Sequence, residues 1–230
     1  MYSILEHYLS TNHILMIGMI VTFILTFFLL EHPFSFLPSD QGRAFAVNGS
    51  LSKGKLRGVG FIFVLCFLIS SVLFLPLDVE YVIYGILLFA MMISGYLDDA
   101  SKTPWNEYKK GLIDLVISVV AVLTYMNFNS TTICFGADEI VIPKALFLIL
   151  GVILIWVSVN VTNCTDGVDG LCASLCSVTL LAFGVLFASV LQKYAMANFL
   201  FLSVLFAYLS FNSSPSGLRR STPRRLFSEY

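Results

Sequence analysis

The sequence predicts an all-α fold, a polytopic bundle of transmembrane helices with about seven spans. Hydrophobic residues make up 58% of the 230 residues and charged residues only 12%, whereas a soluble domain carries about 25% charged residues. The apolar residues also fall into long runs without period-2 alternation, and only helices and closed barrels satisfy their backbones in lipid. We predict a single transmembrane domain over residues 1–211 and an Arg- and Pro-rich tail over residues 212–230, which we expect to be disordered.

The predicted spans are apolar runs near the length of about 17–25 residues that a helix needs to cross the hydrocarbon core. The alternative for any one run is a buried helix of a soluble protein. A series of such runs with no polar domain between them argues against that alternative. In chain order the runs are Ile14–Leu30, Val59–Leu77, Val79–Leu97, Gly111–Met126, Ala145–Val161, Leu171–Leu191 and Tyr194–Phe211.

Basic residues alternate between the loops and predict the orientation of the chain. The N-terminus before the first span has no Lys or Arg, whereas the first and third loops and the tail are basic. Because Lys and Arg mark cytoplasmic loops, we expect the N-terminus outside and the C-terminus inside. The lipid bilayer is the expected partner of this surface, and no nucleic acid is expected. The bases concerned are Arg43, Lys53, Lys55, Arg57, Lys102, Lys109, Lys110, Arg219, Arg220, Arg224 and Arg225.

The stretch GYLDDASK, Gly95 to Lys102, places two acids at the end of the third span. The C-terminal end of a helix is partly negative, so Asp98 and Asp99 cost stability there. One interpretation is that Lys102 compensates part of their charge. The other is that the acids hold a hard cation such as Mg²⁺, or that one of them acts as a base.

The stretch NVTNCTDGVDGL, Asn160 to Leu171, places polar groups and glycines before the sixth span. One interpretation is helix capping, with Thr165 or Asp166 as the N-cap and Asp169 in the first turn. The other is a ligand site, because a cap needs one acid and here an amide, Asn163, precedes two acids. Glycines beside these acids would let the backbone approach a ligand closely.

Asp114 lies early in the fourth span. An ionisable residue inside the membrane boundary is a candidate functional residue. The alternative is that its carboxylate reaches the membrane interface.

The first loop, Gln41 to Gly60, is basic and rich in glycine. Its charges satisfy the rule for cytoplasmic loops wherever they lie. The alternative is an anion site, in which glycines expose backbone N–H groups and Lys53 or Lys55 holds a phosphate. Together with the acids, such a loop is typical of a membrane enzyme that handles a pyrophosphate donor and a lipid acceptor.

The two acid motifs, in this order, resemble the polyprenyl-phosphate N-acetylhexosamine-1-phosphate transferase superfamily. The form TDGVDGL most resembles its phospho-N-acetylmuramoyl-pentapeptide transferase family, and the likeness runs from about Gly42 to Pro215. That family moves phospho-MurNAc-pentapeptide from UDP to undecaprenyl phosphate, giving lipid I and UMP, with Mg²⁺. The resemblance therefore implies UDP-MurNAc-pentapeptide and undecaprenyl phosphate as substrates, a bacterial inner membrane, an active site on the cytoplasmic face and a homodimer.

The resemblance also implies roles for individual residues. Asp98 and Asp99 match paired aspartates that activate the lipid phosphate and serve the metal-dependent chemistry, so both are candidate metal ligands. The second motif shapes the nucleotide and sugar-phosphate site, with Asp169 as a catalytic candidate. The candidates for substrate binding are Asn163, Asp166, Lys53, Lys55 and Lys102. The family has TPTMGG where this chain has GKLRGVG, so the choice between the lysines of the first loop stays open.

The chain departs from the family after FNSSPS, Phe211 to Ser216. The family continues with FMGDxGS, further spans to a total of ten and a histidine-rich loop, and this chain continues with GLRRSTPRRLFSEY. We therefore expect a C-terminally truncated member that lacks the metal-binding aspartate of FMGDxGS. Two alternatives stay open, a GlcNAc-1-phosphate transferase to the same lipid and a catalytically inactive membrane fragment. A transporter is less favoured, because its charges should lie at mid-membrane.

Overall fold

The computed structural model describes residues 1–31, 37, 58–101, 105–135, 138–165 and 170–212. This part of the chain forms helices and one antiparallel hairpin, and no other strand occurs in these ranges. In chain order the elements are α1 (Tyr2–Tyr8), α2 (Thr11–Glu31), α3 (Gly60–Phe74), α4 (Val79–Ala100), α5 (Glu107–Phe128), β1 (Thr132–Phe135), β2 (Asp138–Val141), α6 (Lys144–Thr165), α7 (Leu171–Phe187) and α8 (Gln192–Asn212).

Each predicted span coincides with one helix, α2 to α8, which confirms the all-α polytopic fold. Five of these helices are long and apolar enough to cross a membrane, whereas α3 and α7 are shorter apolar helices. The prediction that the second span reaches Leu77 is wrong. Leu75 is extended and precedes Pro76, and a residue before proline is pushed out of the helical region. The short helix α1 and the hairpin were not predicted.

Helix α8 lies at the centre of the bundle and contacts α2, α3 and α7. Half of its spanning window is buried, 50% against 6% for α6. Helices α4, α5 and α6 pack in sequence beside this group, and α3 joins α4 to it. The core consists of apolar side chains from α2, α3 and α8, among them Ile14, Cys66 and Leu200, each 0% exposed. The exposed apolar faces of the outer helices suit a multi-pass membrane protein, because lipid covers them.

Several buried hydroxyl groups are satisfied within their own helices, whereas Thr22 Oγ1 and Ser70 Oγ have no hydrogen-bond partner among the described residues. Thr26, Ser118 and Ser177 each donate a hydrogen bond to the carbonyl oxygen four residues earlier, at 2.8, 2.7 and 2.7 Å. A hydroxyl group in hydrocarbon has no water to bond, so this local bond lowers the cost of placing it there. The bundle therefore carries polar residues inside the membrane without a polar core.

Two groups of polar side chains mark the two ends of the bundle. We call the end at which α4 ends and α5 begins the acid end. At the opposite end, a buried carboxylate, Glu80, accepts hydrogen bonds from Asn129 Nδ2 at 2.7 Å and from Tyr84 Oη at 3.0 Å. Lys193 Nζ lies 2.5 Å from Asp78 Oδ2 and 4.0 Å from Glu80 Oε2. This opposite-end cluster (Asp78, Glu80, Tyr84, Asn129 and Lys193) joins the start of α4 to the end of α5 and the start of α8.

Candidate active site

Asp98 lies in the last turn of α4 and is held by the segment that follows. The backbone N–H of Trp105 donates to its Oδ1 at 3.0 Å. The hydroxyl group of Ser101 donates to its backbone carbonyl oxygen at 2.7 Å. The N–H bond fixes the carboxylate, and the hydroxyl bond adds to the bond that the Ser101 backbone N–H donates to the same carbonyl oxygen at 3.2 Å. The connection between α4 and α5 is therefore built around this acid.

Lys110 joins three helices at the acid end. Its Nζ lies 3.4 Å from Asp98 Oδ2 on α4 and 3.4 Å from Asn163 Oδ1 on α6. Both contacts are longer than a typical charged hydrogen bond of about 2.8 Å, so the ammonium group is held mainly by charge. The structure thus brings together Asp98 and Asn163, two of the predicted site residues, through a lysine that was not predicted as part of the site.

A signal for Lys110 was present in the sequence. Lys109 and Lys110 lie at the start of α5, where the partly positive end of a helix disfavours cations. Lys109 is compensated by Trp105, whose ring centroid lies 3.6 Å from its Nζ. Lys110 is compensated by the acid of the preceding helix. The unfavourable helix-end charge that marks the acids of α4 therefore also marks these two bases.

Helix α6 is fixed against α5 near the site, and this contact positions Asn163. Trp156 Nε1 donates to the carbonyl oxygen of Gly111 at 2.9 Å. Asn160 Nδ2 in turn donates to the carbonyl oxygen of Trp156 at 2.8 Å. Because Gly111 directly follows Lys110, the tryptophan sets the height of α6 relative to the lysine.

The remaining predicted residues are only partly covered by the structure. Asp99 lies half-buried beside Asp98. The capping interpretation, with Thr165 or Asp166 as the N-cap and Asp169 in the first turn, is wrong, because α6 extends through Thr165, the N-cap of α7 is Gly170 and its first turn holds no acid. Gly170 has a φ of +78°, a left-handed conformation that favours glycine. Asp166, Asp169, Lys53, Lys55 and Lys102 lie outside the described residues, as does the tail after Asn212.

Asp114 is buried one helical turn after Lys110. Its exposed fraction is 3%, so protein covers it. Among the described residues, none donates a hydrogen bond to this carboxylate. Lys110 is the charged side chain that acts on it electrostatically.

The acid end fits a hard cation in the chemistry of its donors. Carboxylate and amide oxygens of Asp98 and Asn163 converge on one position, and the Lys110 ammonium group occupies it as a stand-in cation. Oxygen ligands of this kind suit Mg²⁺. Within the described ranges, no three His, Cys, Asp or Glu side chains form a cluster that could hold a metal.

Comparisons with known proteins bear on this arrangement. Residues 81–220 match the model of glycosyl transferase family 4. A phospho-N-acetylmuramoyl-pentapeptide-transferase of Treponema pallidum is 34% identical over 189 residues, which cover 80% of this chain and 52% of the relative. Proteins of the same name from Dictyoglomus turgidum and Wolbachia pipientis are 25% identical over 211 residues and 27% identical over 177 residues. The first covers 89% of this chain and 67% of its own length, and the second covers 68% and 52%.

The chain spans about half the length of the Treponema relatives that it matches. The matches confirm the resemblance that the two acid motifs predicted. The family model includes Asp98, Lys110 and Asn163, the residues that meet at the acid end. Since this model matches more than half of the chain, the chain belongs to glycosyl transferase family 4.

Proposed function

We propose that the acid end transfers phospho-MurNAc-pentapeptide from UDP to undecaprenyl phosphate, giving lipid I and UMP for peptidoglycan synthesis. The observation that carries the proposal is the junction of Asp98, Lys110 and Asn163, where three helices present an acid, a base and an amide at one end of a membrane bundle. A soluble nucleotide and a lipid phosphate can meet only at such an end. The names of the relatives support the choice of substrates.

The reaction exchanges one phosphorus–oxygen bond for another. An oxygen of the lipid phosphate forms a bond to the β-phosphorus of the donor. The bond between that phosphorus and the bridging oxygen breaks, and UMP leaves with the electron pair. Phosphoryl transfer of this kind depends on positioning and on neutralising charge.

The residues of the junction supply positioning and charge. Lys110 joins the acid of α4 to the amide of α6 and holds the junction together before the metal binds. Asp98, held by the backbone N–H of Trp105, keeps a carboxylate fixed beside it. Asn163 orients the lysine from the facing helix. Asp98 and Asn163, with Asp99 beside them, would hold Mg²⁺, which when bound neutralises charge on the pyrophosphate.

The proposal includes the location of the site. Lys109 and Lys110 lie at the acid end, and basic residues mark the cytoplasmic side, so the site would face the cytoplasm of a bacterial cell and the protein would lie in the inner membrane. We also propose a homodimer, which cross-linking in native membranes would detect.

The first experiment measures UMP release by the chain in bilayers that contain undecaprenyl phosphate. UDP-MurNAc-pentapeptide and UDP-GlcNAc are offered separately, with and without Mg²⁺. Asp98→Asn removes the charge at the junction without changing the size of the side chain. Asp78→Asn makes the same chemical change at the opposite end of α4 and serves as the matched control.

We expect Mg²⁺-dependent release with UDP-MurNAc-pentapeptide, lost in Asp98→Asn and retained in Asp78→Asn. Release with UDP-GlcNAc instead would replace the proposed donor by the alternative one. No release from a folded and inserted chain would reject the transferase proposal for these 230 residues and favour an inactive membrane fragment.

A further inference from the structure

The Lys110 ammonium group lies between the oxygens of Asp98 and Asn163, the position that the proposed function gives to a divalent cation. The oxygens of Asp98 and Asn163 each lie 3.4 Å from its Nζ. Two positive groups cannot share that position, because like charges a few ångströms apart repel strongly in a partly buried site. A cation that enters between these oxygens must therefore displace the lysine.

The displaced ammonium group needs another acceptor close to its own helix. Lysine has a flexible four-carbon side chain, and a charge left without a partner at the membrane boundary is costly. Asp114 follows Lys110 by four residues on α5, and residues at this spacing are neighbours on one face of a helix. The residue is 3% exposed, and its carboxylate receives no hydrogen bond from any residue in the described ranges.

We propose that Asp114 is a positioning residue that receives the Lys110 ammonium group when a divalent cation occupies the space between Asp98 and Asn163. The Lys110 ammonium group thus has two positions, which we call its first and second stations. In the first it bridges α4 and α6, and in the second it bonds within α5. The inference rests on the proposed function only for the presence of a divalent cation, and it concerns a residue outside the two acid motifs.

The second station gives the buried Asp114 carboxylate a partner. A buried carboxylate to which no described residue donates a hydrogen bond is unfavourable while the lysine is in its first station. The same carboxylate lowers the cost of moving the lysine to its second station. Asp114 therefore favours cation binding at the junction without touching the cation.

The test is a titration with Mn²⁺, a paramagnetic substitute for Mg²⁺, on the full chain in lipid nanodiscs. Free Mn²⁺ is followed by electron paramagnetic resonance, so no substrate or turnover is needed. The relevant site is the one that Asp98→Asn abolishes. Four proteins form a cycle, namely the starting chain, Asp114→Asn, Lys110→Gln and the double variant.

We expect Asp114→Asn to weaken Mn²⁺ binding about tenfold, a typical coupling between neighbouring groups. In the Lys110→Gln background, the same substitution should change the affinity by less than about twofold, because no lysine needs to be received. Asp114→Glu should restore binding, and Asp78→Asn at the opposite end of α4 should leave it unchanged.

A direct attraction between the Asp114 carboxylate and the metal would persist in the Lys110→Gln background, and equal effects in both backgrounds would overturn the inference. Absence of any Mn²⁺ site that depends on Asp98 would overturn it as well. The outcome is separable from the proposed function. Coupling without UMP release would reject the transferase reaction alone, and UMP release without coupling would reject the role of Asp114 alone.

Discussion

Burial, and not the length of a contact, should decide which polar pair at the opposite end stabilises the bundle. The Asp78–Lys193 ion pair is short, 2.5 Å, but its side chains are 50% and 27% exposed. The Glu80–Asn129 hydrogen bond is longer, 2.7 Å, and Glu80 is only 5% exposed. We predict that the second pair contributes more to the free energy of unfolding than the first.

The expected magnitudes follow from these surroundings. Exposed ion pairs contribute about 0–1 kcal/mol, because water and salt screen them and two long side chains must be ordered. A hydrogen bond to a buried charged group contributes about 1.5–3 kcal/mol, although polar pairs between membrane helices average about 0.6 and reach about 1.7 kcal/mol. We therefore expect a coupling energy of about 1.5 kcal/mol for Glu80–Asn129 and below about 0.5 kcal/mol for Asp78–Lys193.

Two double-mutant cycles measure these couplings. One combines Glu80→Ala with Asn129→Ala, and the other combines Asp78→Ala with Lys193→Ala. Unfolding is followed by circular dichroism as sodium dodecyl sulfate is added to the chain in mixed micelles. The structure limits the first coupling, since Asn129 keeps a bond to the carbonyl oxygen of Tyr125 at 3.3 Å when Glu80 is removed.

The result that would refute this reasoning is a coupling for Asp78–Lys193 equal to or larger than that for Glu80–Asn129. Raising the salt concentration gives an independent check, because the coupling of the exposed pair should fall more steeply. A flat salt response from both pairs would show that neither coupling is governed by exposure to solvent.

Three further predictions concern packing, pH and the site. Gly151→Val should lower the free energy of unfolding by about 1–3 kcal/mol, because a Cβ at Gly151 already meets Val122 Cγ1 at 3.0 Å. Gly95→Val is the control in the same unfolding assay, because a Cβ at Gly95 meets nothing within 4 Å. Partial burial alone would raise the pKa of the Asp78 carboxyl group, but the hydrogen bonds from Lys193 and the Tyr81 backbone outweigh it and lower the pKa below its usual value. The difference in the free energy of unfolding between the starting chain and Asp78→Asn should then be constant above the unfolded pKa of about 3.9. It should disappear as the pH falls through the pKa of Asp78 in the folded protein. A difference that grows on acidification would contradict a lowered pKa. Asn163→Ala should lower the rate of UMP release about 10–100-fold, because Lys110 loses its contact on α6. The helical circular dichroism should be unchanged. An unaltered rate would show that Asn163 is not part of the site.

Local patterns in the sequence predicted most of the helices. Apolar runs such as Ala145–Val161 predict a helix by length and composition alone, because lipid admits few other backbones. The end of α3 was not predicted by such a run. The end of α3 depends on Leu75 lying before Pro76, a local signal that the sequence analysis did not use. The hairpin formed by β1 and β2 has four residues in each strand, too few to stand out from a loop.

The sequence by itself determined the apolar helices and the presence of acids at their ends, because these depend on residue type and on spacing along the chain. The tertiary structure decided which of those polar groups meet. Lys110 and Asn163 are 53 residues apart, and only the packing of α5 against α6 through Trp156 brings them together. The burial of Asp114 was decided in the same way, since one face of α5 is covered by its neighbours and the other is left to lipid. Contacts between distant residues depend on the relative height and rotation of packed helices, which no local pattern encodes.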